Sequence, residues 1–317
     1  MRVWAVVNPD AGAWRRPGLM RRDPVELVRT WLAAAGQPDA CIRRTNSACG
    51  GMQAARDAAA AGAECVIAVG GDGAINSVVQ GLMQSGADGA SRPILGIVPA
   101  GSANVLARSL NIPIRHLASA VSVAVHGIPR SLDVGSANGV HFALVAGIGF
   151  DGAITRRVSR HAKRRFGEMA YAMAATQVAL AYPRHKVTLT LDADNPRQFD
   201  AYLILVANGS RYAGRFHLGP TVRSDDGMFD VFVCLRRRLI LWSILTHGFA
   251  LASRRFHSAP GVRHFRARRV FVASADAIPF ELDGDAAGEA PVLITMAPHA
   301  LRVNTPRSQY DPPRQSV

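Results

Sequence analysis

The sequence predicts an α/β protein in which an N-terminal doubly wound parallel-sheet domain is followed by a C-terminal antiparallel β-sandwich domain. Over about the first 125 residues, short apolar runs alternate with stretches of helical spacing, the pattern of a parallel sheet covered by helices. After Pro129 the pattern changes, and Asn138-Gly139 supplies the positive φ angles of a type I′ hairpin turn. Residues 186–191 then alternate apolar and polar side chains, as a half-buried strand does.

The N-terminal half is predicted to contain buried strands separated by helices. Asp23 has the side chain of an N-cap, Pro24 suits the first helical position, and Gly36 ends the first helix. The later helices are marked by alanine-rich composition or by apolar residues that recur on one face. The predicted strands are residues 3–7, 65–69 and 94–98, and the later helices are residues 48–61, 74–84 and 102–110.

The C-terminal half is predicted to be mostly antiparallel, with one helix near residues 167–180 among its strands. These strands are residues 132–137, 140–145, 186–191, 202–207, 229–235, 269–273 and 292–296. We expect the first domain to span residues 1–128, with residues 298–305 as a segment that can rejoin it, and the second to span residues 129–297. The proline-containing tail, residues 306–317, is expected to be disordered.

Composition and charge narrow the class of protein. A chain of 317 residues has the length of two ordinary domains, and 49% of the residues are hydrophobic, so each domain can bury a core. The net charge of +14 is carried almost wholly by arginine, since Lys163 and Lys186 are the only lysines. Such a charge favours anionic partners: nucleotides, acidic lipid surfaces or nucleic acid.

The sequence shows neither an export signal nor a cysteine framework. Its four cysteines form no Cys-x-x-Cys pair, which argues against a zinc site and, in a reducing cytosol, against disulfides. The N-terminal apolar run is too short for a signal peptide, and no stretch approaches the roughly 18 apolar residues of a spanning helix. The best candidate, residues 239–252, is interpreted as an amphipathic or buried helix. We therefore expect a cytoplasmic protein.

A glycine-rich turn between a strand and a helix is the strongest sign of chemistry. The apolar strand 65–69 runs directly into Gly-Gly-Asp-Gly at residues 70–73. Glycines let the main chain approach a phosphate, and the N–H groups and dipole of a helix N-terminus attract an anion. Asp72 would repel that phosphate unless a divalent cation lay between them, so it indicates Mg²⁺ or contact with a substrate hydroxyl. The alternative is that Asp72 caps the following helix.

Two further polar turns follow predicted strands, at residues 8–12 and 99–104. Ser102 could cap a helix or donate to a phosphate, and Asn104 could hold a ribose or a metal-bound water. Because parallel strands end at the same edge of a sheet, all three turns are expected to converge where open α/β sheets bind ligands. Neither lysine lies near a glycine turn, which excludes a P-loop NTPase, and no Gly-x-Gly-x-x-Gly follows the first strand, which argues against a Rossmann dehydrogenase.

With these turns in this order, the sequence resembles the diacylglycerol kinase catalytic-domain family, which includes soluble bacterial lipid kinases and sphingosine kinases. The resemblance covers about residues 2–305 and includes Gly-Ile-Gly-Phe-Asp at 147–151, Asp-Asp-Gly at 225–227 and Leu-Asp-Gly-Asp at 282–285. It implies transfer of the γ-phosphoryl group of ATP, with Mg²⁺, to a hydroxyl of diacylglycerol or a related lipid. It also implies that the first domain binds nucleotide and the second binds lipid.

The resemblance implies roles for individual residues. The general base is Asp283 or Asp285, and Asp72 takes part in catalysis. A structural Mg²⁺ is held by the Asp226 carboxylate with the carbonyls of Arg223 and Met228. The implied nucleotide contacts are Asn8, Pro9, Asp10, Ala11, Gly12, Thr45, Gly70, Gly71, Asp72, Gly73, Ala74, Ile75, Asn76, Gly101, Ser102 and Asn104.

Three positions depart from the family pattern. Ala74 replaces a threonine and so lacks one hydroxyl contact to phosphate, whereas Ser102 replaces a threonine but keeps the hydroxyl. Asp285 replaces a glutamate, and a displacement of roughly 1 Å can lower a rate by about 10²-fold. The identity of the base therefore stays open, as does an inactive member of the family. Arg15 or Arg16 could replace the lysine that other kinases use.

A lipid substrate implies peripheral association with an anionic membrane surface. The basic run Arg156, Arg157, Arg160, Lys163, Arg164 and Arg165 is predicted to dock there. The second basic-then-apolar segment, residues 236–252, is interpreted instead as a charged face beside a core helix. Two alternatives stay open: a soluble-substrate kinase such as an NAD kinase, and a non-catalytic basic protein that binds nucleotide, membrane or nucleic acid. No motif indicates dedicated nucleic-acid binding, and a homodimer stays open.

Overall fold

The computed structural model describes residues 1–15, 19, 22–46, 48–158, 168–213, 216–236 and 240–307. The helices of this part are α1 (Pro24–Ala34), α2 (Ala48–Ala60), α3 (Asp72–Met83), α4 (Val105–Ser109), α5 (Leu117–His126), α6 (Phe150–Arg157), α7 (Glu168–Ala181) and α8 (Ile240–Ala252). Its strands are β1 (Val3–Val7), β2 (Cys41–Arg44), β3 (Cys65–Gly70), β4 (Ile94–Pro99), β5 (Ile128–Ala137), β6 (Val140–Phe142), β7 (Val145–Gly149), β8 (Lys186–Leu191), β9 (Arg197–Ala207), β10 (Arg211–Tyr212), β11 (Phe216–His217), β12 (Phe229–Leu235), β13 (Val262–Ala267), β14 (Arg269–Ser274), β15 (Pro279–Leu282), β16 (Asp285–Glu289) and β17 (Val292–Thr305). Among the described helices, none is long and apolar enough to cross a bilayer.

The N-terminal half is built on a parallel sheet with the strand order β4-β3-β1-β2. Strand β3 is buried along its whole length, as an apolar run between two covered faces must be. Helix α1 packs with α5 and α2 packs with α3, so the helices form two groups, as a doubly wound sheet requires. Strand β2 was not predicted because it ends in the exposed Arg43 and Arg44, which break its apolar pattern.

The C-terminal half pairs mainly in antiparallel fashion around a second core. The predicted alternation of β8 is confirmed, because Val187, Leu189 and Leu191 are buried in that core. Strand β17 pairs with β14 and β5, and its Val303 also pairs in parallel with Leu95 of β4. One strand therefore takes part in both halves of the molecule.

Local signals in the sequence are confirmed at several boundaries and corrected at one. The Asp23 carboxylate accepts the Val25 N–H at 2.9 Å, as an N-cap does. Asn138 and Gly139 have φ angles of 48° and 87°, which a type I′ turn requires. The helix predicted from residue 102 begins only at Val105, because Asn104 has a φ of 51° and is its N-cap. Of the two roles considered for Ser102, capping this helix is therefore excluded, and contact with a phosphate stays a prediction.

Three expectations about the C-terminal half are also corrected. The strand predicted at 140–145 is broken into β6 and β7, because the N–H groups of residues 143–145 turn towards one carboxylate, as described below. Helix α6 was not expected among the strands. The strand predicted at 292–296 continues to Thr305, since a bulge between Ala297 and Leu301 accommodates Pro298.

Several residues with predicted roles lie outside the described part of the chain: Arg16, Arg160, Lys163, Arg164, Arg165, Arg237, Arg238, Leu239 and the tail from residue 308.

Candidate active site

The ends of β1, β3 and β4 bring the three polar turns to one edge of the parallel sheet. The Asn8 N–H donates to the Val69 carbonyl at 2.9 Å, and the Ala100 N–H donates to the Gly70 carbonyl at 2.7 Å. The Ala13 N–H in turn donates to the Ala100 carbonyl at 2.8 Å. The turns that were predicted to converge are therefore joined by main-chain hydrogen bonds into one surface.

Two glycines let the second and third turns touch. A Cβ atom on Gly101 would lie 2.5 Å from the Cα atom of Gly71, a separation that no side chain tolerates. Gly71 is the N-cap of α3 and has no side chain to cover the first turn of that helix, while its carbonyl accepts the Ile75 N–H at 3.0 Å. The N-terminus of α3 is consequently open to an anion, because its first N–H groups have no partner within the helix.

Asp72 joins this helix to the next one. Its carboxylate accepts the Asn104 N–H at 2.8 Å and the Val105 N–H at 2.6 Å, so it caps the start of α4 and not that of its own helix. The Asn104 side chain accepts the Gly101 N–H and donates to the Gly101 carbonyl, both at 2.9 Å. The two turns are thus held in a fixed relation by charged and amide side chains.

The first turn borders an open cavity. The Trp14 indole N–H donates to the Asn8 carbonyl at 2.9 Å, and the Thr45 N–H donates to the Val7 carbonyl at 2.9 Å. These bonds place the turn beside the end of β2. The cavity has a volume of about 370 Å³ and is lined by Pro9, Asp10, Arg44, Thr45 and Asn46.

The remaining predicted contact residues differ in exposure. Ala11 and Ile75 are buried in the core, so only their main-chain atoms can face a nucleotide. Asn104 is buried through the hydrogen bonds just described. The exposed positions are Gly12, Gly73 and Ser102, and the half-buried ones are Asn8, Ala74 and Asn76.

Asp283 is held in the turn between β15 and β16. Its carboxylate accepts the N–H groups of Ala143 at 2.8 Å, Leu144 at 2.9 Å and Val145 at 2.9 Å. Burial raises the pKa of Asp283 to about 6, against the opposing effect of these hydrogen bonds. Asp283 has a φ of 51°, a left-handed conformation that residues other than glycine rarely adopt. The three hydrogen bonds to its carboxylate hold the turn in this conformation.

Asp285, two residues later, faces the glycine turn of the other half. A Cβ atom on Gly73 would lie 3.6 Å from Oδ2 of Asp285. Asp285 is exposed at the first position of β16. Of the two aspartates that the sequence left open, this one points a carboxylate at the start of α3.

Two domain families together span nearly the whole chain. Residues 2–137 match the diacylglycerol kinase catalytic domain, and residues 144–305 match the YegS C-terminal NAD kinase beta sandwich-like domain. The chain belongs to the diacylglycerol kinase family. The predicted family is therefore confirmed, and so is the predicted fold of a parallel-sheet domain followed by an antiparallel β-sandwich.

Full-length relatives agree with this membership. A protein named as a probable YegS-like lipid kinase from Chromohalobacter salexigens is 32% identical over 261 residues, which are 81% of this chain and 80% of that protein. A diacylglycerol kinase of Bacillus subtilis is 30% identical over 238 residues, 75% of this chain and 76% of the relative. A crystal structure of a diacylglycerol kinase from Bacillus anthracis covers 96% of both chains with a TM-score of 0.69 at 22% identity. This last likeness shows the fold.

The Asp-Asp-Gly loop of the family, residues 225–227, lies before β12. Asp226 Oδ1 accepts the Met228 N–H at 3.2 Å, and the other oxygen pairs with Arg266. One carboxylate with two carbonyls is a set of hard oxygen donors that suits Mg²⁺, although an ion would share the carboxylate with the Arg266 guanidinium. The described residues contain no group of three His, Cys, Asp or Glu side chains placed to hold a metal. The metal role of Arg223, Asp226 and Met228 stays a prediction.

An acidic cluster beside the Asp283 turn, with Glu281 buried and Asp151 half-buried, was missed by the sequence analysis. Asp151, at the start of α6, hydrogen-bonds with Glu281 of β15 and with Tyr212 of β10. Burial raises the pKa of both carboxyl groups, and the neighbouring charge of Asp151 raises that of Glu281 further, so we expect the pair to retain a proton. A Cβ atom on Gly147 would lie 2.5 Å from Asp151 Oδ2 and 2.7 Å from Glu281 Oε1. That glycine within an apolar strand was the available signal of a close approach.

Proposed function

We propose that the chain is an ATP-dependent lipid kinase, which transfers the γ-phosphoryl group of ATP to a hydroxyl of diacylglycerol or a related lipid with Mg²⁺ as cofactor. The observation that carries the proposal is the position of Asp285, whose carboxylate comes from the antiparallel half and faces Gly73 at the open N-terminus of α3. The proposed base, Asp285, thus lies across from the N-terminus of α3, where the phosphates are proposed to bind. Membership of the diacylglycerol kinase family supports the reaction class.

The proposed nucleotide position follows from the three turns. The phosphates lie against the first N–H groups of α3, beside the close approach of Gly71 to Gly101. The adenosine lies towards the cavity that contains Asp10 and Thr45. Arg15 is exposed at the end of the first turn, where its charge can offset that of the phosphates.

The chemistry assigns different tasks to the acidic residues. The lipid hydroxyl oxygen attacks the γ phosphorus in line, the bond to the bridging oxygen breaks, ADP leaves, and Asp285 accepts the hydroxyl proton. Asp283 is a positioning residue, because its oxygens hold three main-chain N–H groups. Mg²⁺ supplies charge neutralisation when bound, and the Asp72 carboxylate at the start of α3 is an oxygen donor of the kind that Mg²⁺ prefers.

A lipid acceptor requires contact with a membrane. We therefore expect a cytoplasmic protein that associates peripherally with an anionic surface, in keeping with its net charge of +14. Of the basic run predicted to dock there, the structure describes Arg156, which pairs with Glu289, and the exposed Arg157.

The proposal is tested by phosphoryl transfer from γ-labelled ATP and Mg²⁺ to diacylglycerol, a sphingoid base and phosphatidylglycerol in mixed micelles. The wild type is expected to label a product that partitions into organic solvent, and Asp285→Asn is expected to lose nearly all of it. Asp39→Asn is the control, because Asp39 is exposed before β2 at the opposite edge of the sheet. Label in a water-soluble acceptor alone would indicate a soluble-substrate kinase, and no transfer to any acceptor would refute the proposal.

A further inference from the structure

Helix α8 is anchored with its polar side chains facing inwards. The His247 ring nitrogens lie 2.8 Å from the Tyr202 hydroxyl and 3.1 Å from the Pro260 carbonyl, so both hydrogen-bonding positions of the ring are used. The buried residues of the helix are Ile240, Ser243, His247 and Ala250. The rotation of α8 about its own axis is therefore fixed by specific contacts.

The opposite face of α8 presents large apolar side chains to solvent. Leu241 is 48% exposed, Trp242 60%, Leu245 66% and Phe249 76%. Their spacing places them along one side of the helix over about 12 Å. This arrangement inverts the usual amphipathic pattern of a surface helix, in which polar side chains face the solvent. The interpretation of residues 239–252 as a core helix is corrected accordingly.

The neighbouring helix α7 also exposes large apolar side chains. The two helices are in contact, and α7 exposes Met169, Met173 and Leu180. Seven of the eleven exposed large hydrophobic side chains in the described part of the chain thus lie on these two helices. We call the outward side chains of both helices the α7–α8 face. A concentration of this kind marks an interaction surface.

The charges in the segment that contains α8 are of one sign. The segment from residue 236 to residue 255 has five arginines and no acidic residue, with three arginines before the helix and two after it. Within the described residues, Arg254 and Arg255 are exposed immediately beyond the end of α8. An apolar helix face between arginines has the composition of a helix that lies in the interface of an anionic membrane.

We infer that the α7–α8 face docks on an anionic lipid bilayer, with Trp242 and Phe249 inserted below the headgroups and the exposed Arg254 and Arg255 at the phosphates. A second copy of the chain fits this face less well, since pairing would bring two arginine-rich segments together. The inference rests on the proposed lipid kinase function. It also places the membrane near the chemistry, because the Tyr171 hydroxyl on α7 donates to the Gly284 carbonyl at 3.0 Å, next to Asp285.

The test is binding to phosphatidylcholine vesicles prepared with and without phosphatidylglycerol. The wild type is expected to cosediment with the anionic vesicles, and the double variant Trp242→Gln, Phe249→Gln to bind at least about tenfold more weakly. Phe271→Gln is the matched control, because Phe271 is an exposed aromatic residue on β14. The fluorescence of the exposed Trp242 is expected to shift to the blue in wild type, since the other tryptophans (Trp4, Trp14 and Trp31) lie in the parallel-sheet half.

Activity measurements separate this inference from the proposed function. With a water-soluble short-chain diacylglycerol, the double variant is expected to keep wild-type turnover, whereas with anionic vesicles it is expected to lose about tenfold. Vesicle binding without phosphorylation of any lipid would uphold the docking surface and refute the kinase. Unchanged vesicle binding in the double variant would overturn the docking surface, and the same would hold if the substitutions only converted a dimer into a monomer.

Discussion

Asp283 and Asp285 are two residues apart and have opposite surroundings. Three main-chain N–H groups donate to Asp283, and burial raises its pKa to about 6. Asp285 is exposed and faces Gly73. At the scale of the residue, these surroundings agree with the proposal that Asp283 shapes the turn and that Asp285 accepts the proton.

Replacing each aspartate should therefore have a different effect. We expect Asp285→Asn to lower kcat by about 10² to 10⁴-fold with little change in Tm, because a general base is lost from an exposed position. Asp283→Asn should lower the free energy of unfolding by about 1–3 kcal/mol, because three main-chain hydrogen bonds to its carboxylate are weakened. Steady-state kinetics and urea unfolding measure the two effects. Equal loss of stability in both variants, or full activity in Asp285→Asn, would contradict the assignment.

The Asp151–Glu281 pair makes a prediction about pH. The folded-state pKa of Glu281 lies well above its ordinary value of 4.5, because of burial and the charge of Asp151. The stability that it contributes is thus complete below about pH 4.5 and is lost as pH rises through the raised pKa. We expect Glu281→Gln, which cannot ionise, to gain stability relative to wild type on the order of 1 kcal/mol per pH unit within that window. Urea unfolding at several pH values measures it.

A matched control for this experiment is Glu26→Gln, because Glu26 is exposed in the first turn of α1. Its stability should follow that of wild type at every pH to within about 0.5 kcal/mol. Parallel curves for Glu281→Gln and wild type would mean that Glu281 has the same pKa in the folded and unfolded protein, which would contradict the prediction.

At the scale of elements, the site consists of helix ends and the turns before them. The Asp72 carboxylate lies in α3 and caps α4, and Asn104, with a positive φ, moves the start of α4 back to Val105. The contact between Gly71 and Gly101 then fixes the separation of the two turns. These features join the turns at the proposed phosphate-binding edge into one unit.

Removal of the Asp72 carboxylate should loosen that unit. We expect Asp72→Ala to lower the free energy of unfolding by about 2 kcal/mol, since two hydrogen bonds to a charged group at a helix N-terminus are lost. Thermal unfolding measures the change. Asp57→Ala, at an exposed position on α2, is the control and should stay within about 0.5 kcal/mol of wild type. A change no larger than that of the control would mean that the carboxylate does not hold α4.

A methyl group on Gly101 should force the two turns apart. The added Cβ atom would lie 2.5 Å from Gly71 Cα, so we expect Gly101→Ala to weaken ATP binding by at least about tenfold. Gly248→Ala is the matched control, because a Cβ atom there has no heavy atom within 4 Å. Titration of each variant with ATP, followed by calorimetry, compares them. Wild-type affinity in Gly101→Ala would exclude the proposed phosphate position.

At the scale of the whole molecule, the two halves share a strand and oppose each other across the site. Strand β17 pairs with β14 and β5 of the antiparallel half and, at Val303, with β4 of the parallel sheet. The Gly70–Gly73 turn comes from one half and Asp285 from the other. Their relative placement therefore depends on how the halves are joined.

The predicted structural Mg²⁺ site belongs to this scale, because an ion that binds only the folded chain stabilises all of it. If Asp226 is a ligand, Mg²⁺ without nucleotide should raise the Tm of wild type by a few degrees and leave that of Asp226→Asn unchanged. Asp225→Asn is the control, since the neighbouring Asp225 pairs with Arg223. Differential scanning calorimetry over a range of Mg²⁺ concentrations makes the comparison, and equal shifts in both variants would exclude Asp226 as a ligand.

Local sequence patterns predicted many of the helices, strands and turns. Three features depend only on a few adjacent residues, and each is confirmed: the alternation in β8, the Asp23 cap and the Asn138-Gly139 turn. The order of the turns was sufficient to identify the family. The Asp151–Glu281 pair was missed because its two residues lie 130 positions apart, and Gly147 signals a close approach without identifying the partners.

The sequence by itself determined the fold class, the family and the turns that meet at the edge of the parallel sheet, because periodicity, glycine and capping residues act over short stretches of chain. Only the tertiary structure decided which of Asp283 and Asp285 faces the glycine turn and which side of α8 is exposed. Both depend on contacts between residues far apart in the chain: the N–H groups of residues 143–145 that engage Asp283, and the His247–Tyr202 hydrogen bond that orients α8. Such long-range contacts determine which way a side chain points, whereas the pattern of neighbouring residues indicates whether a segment is a helix or a strand.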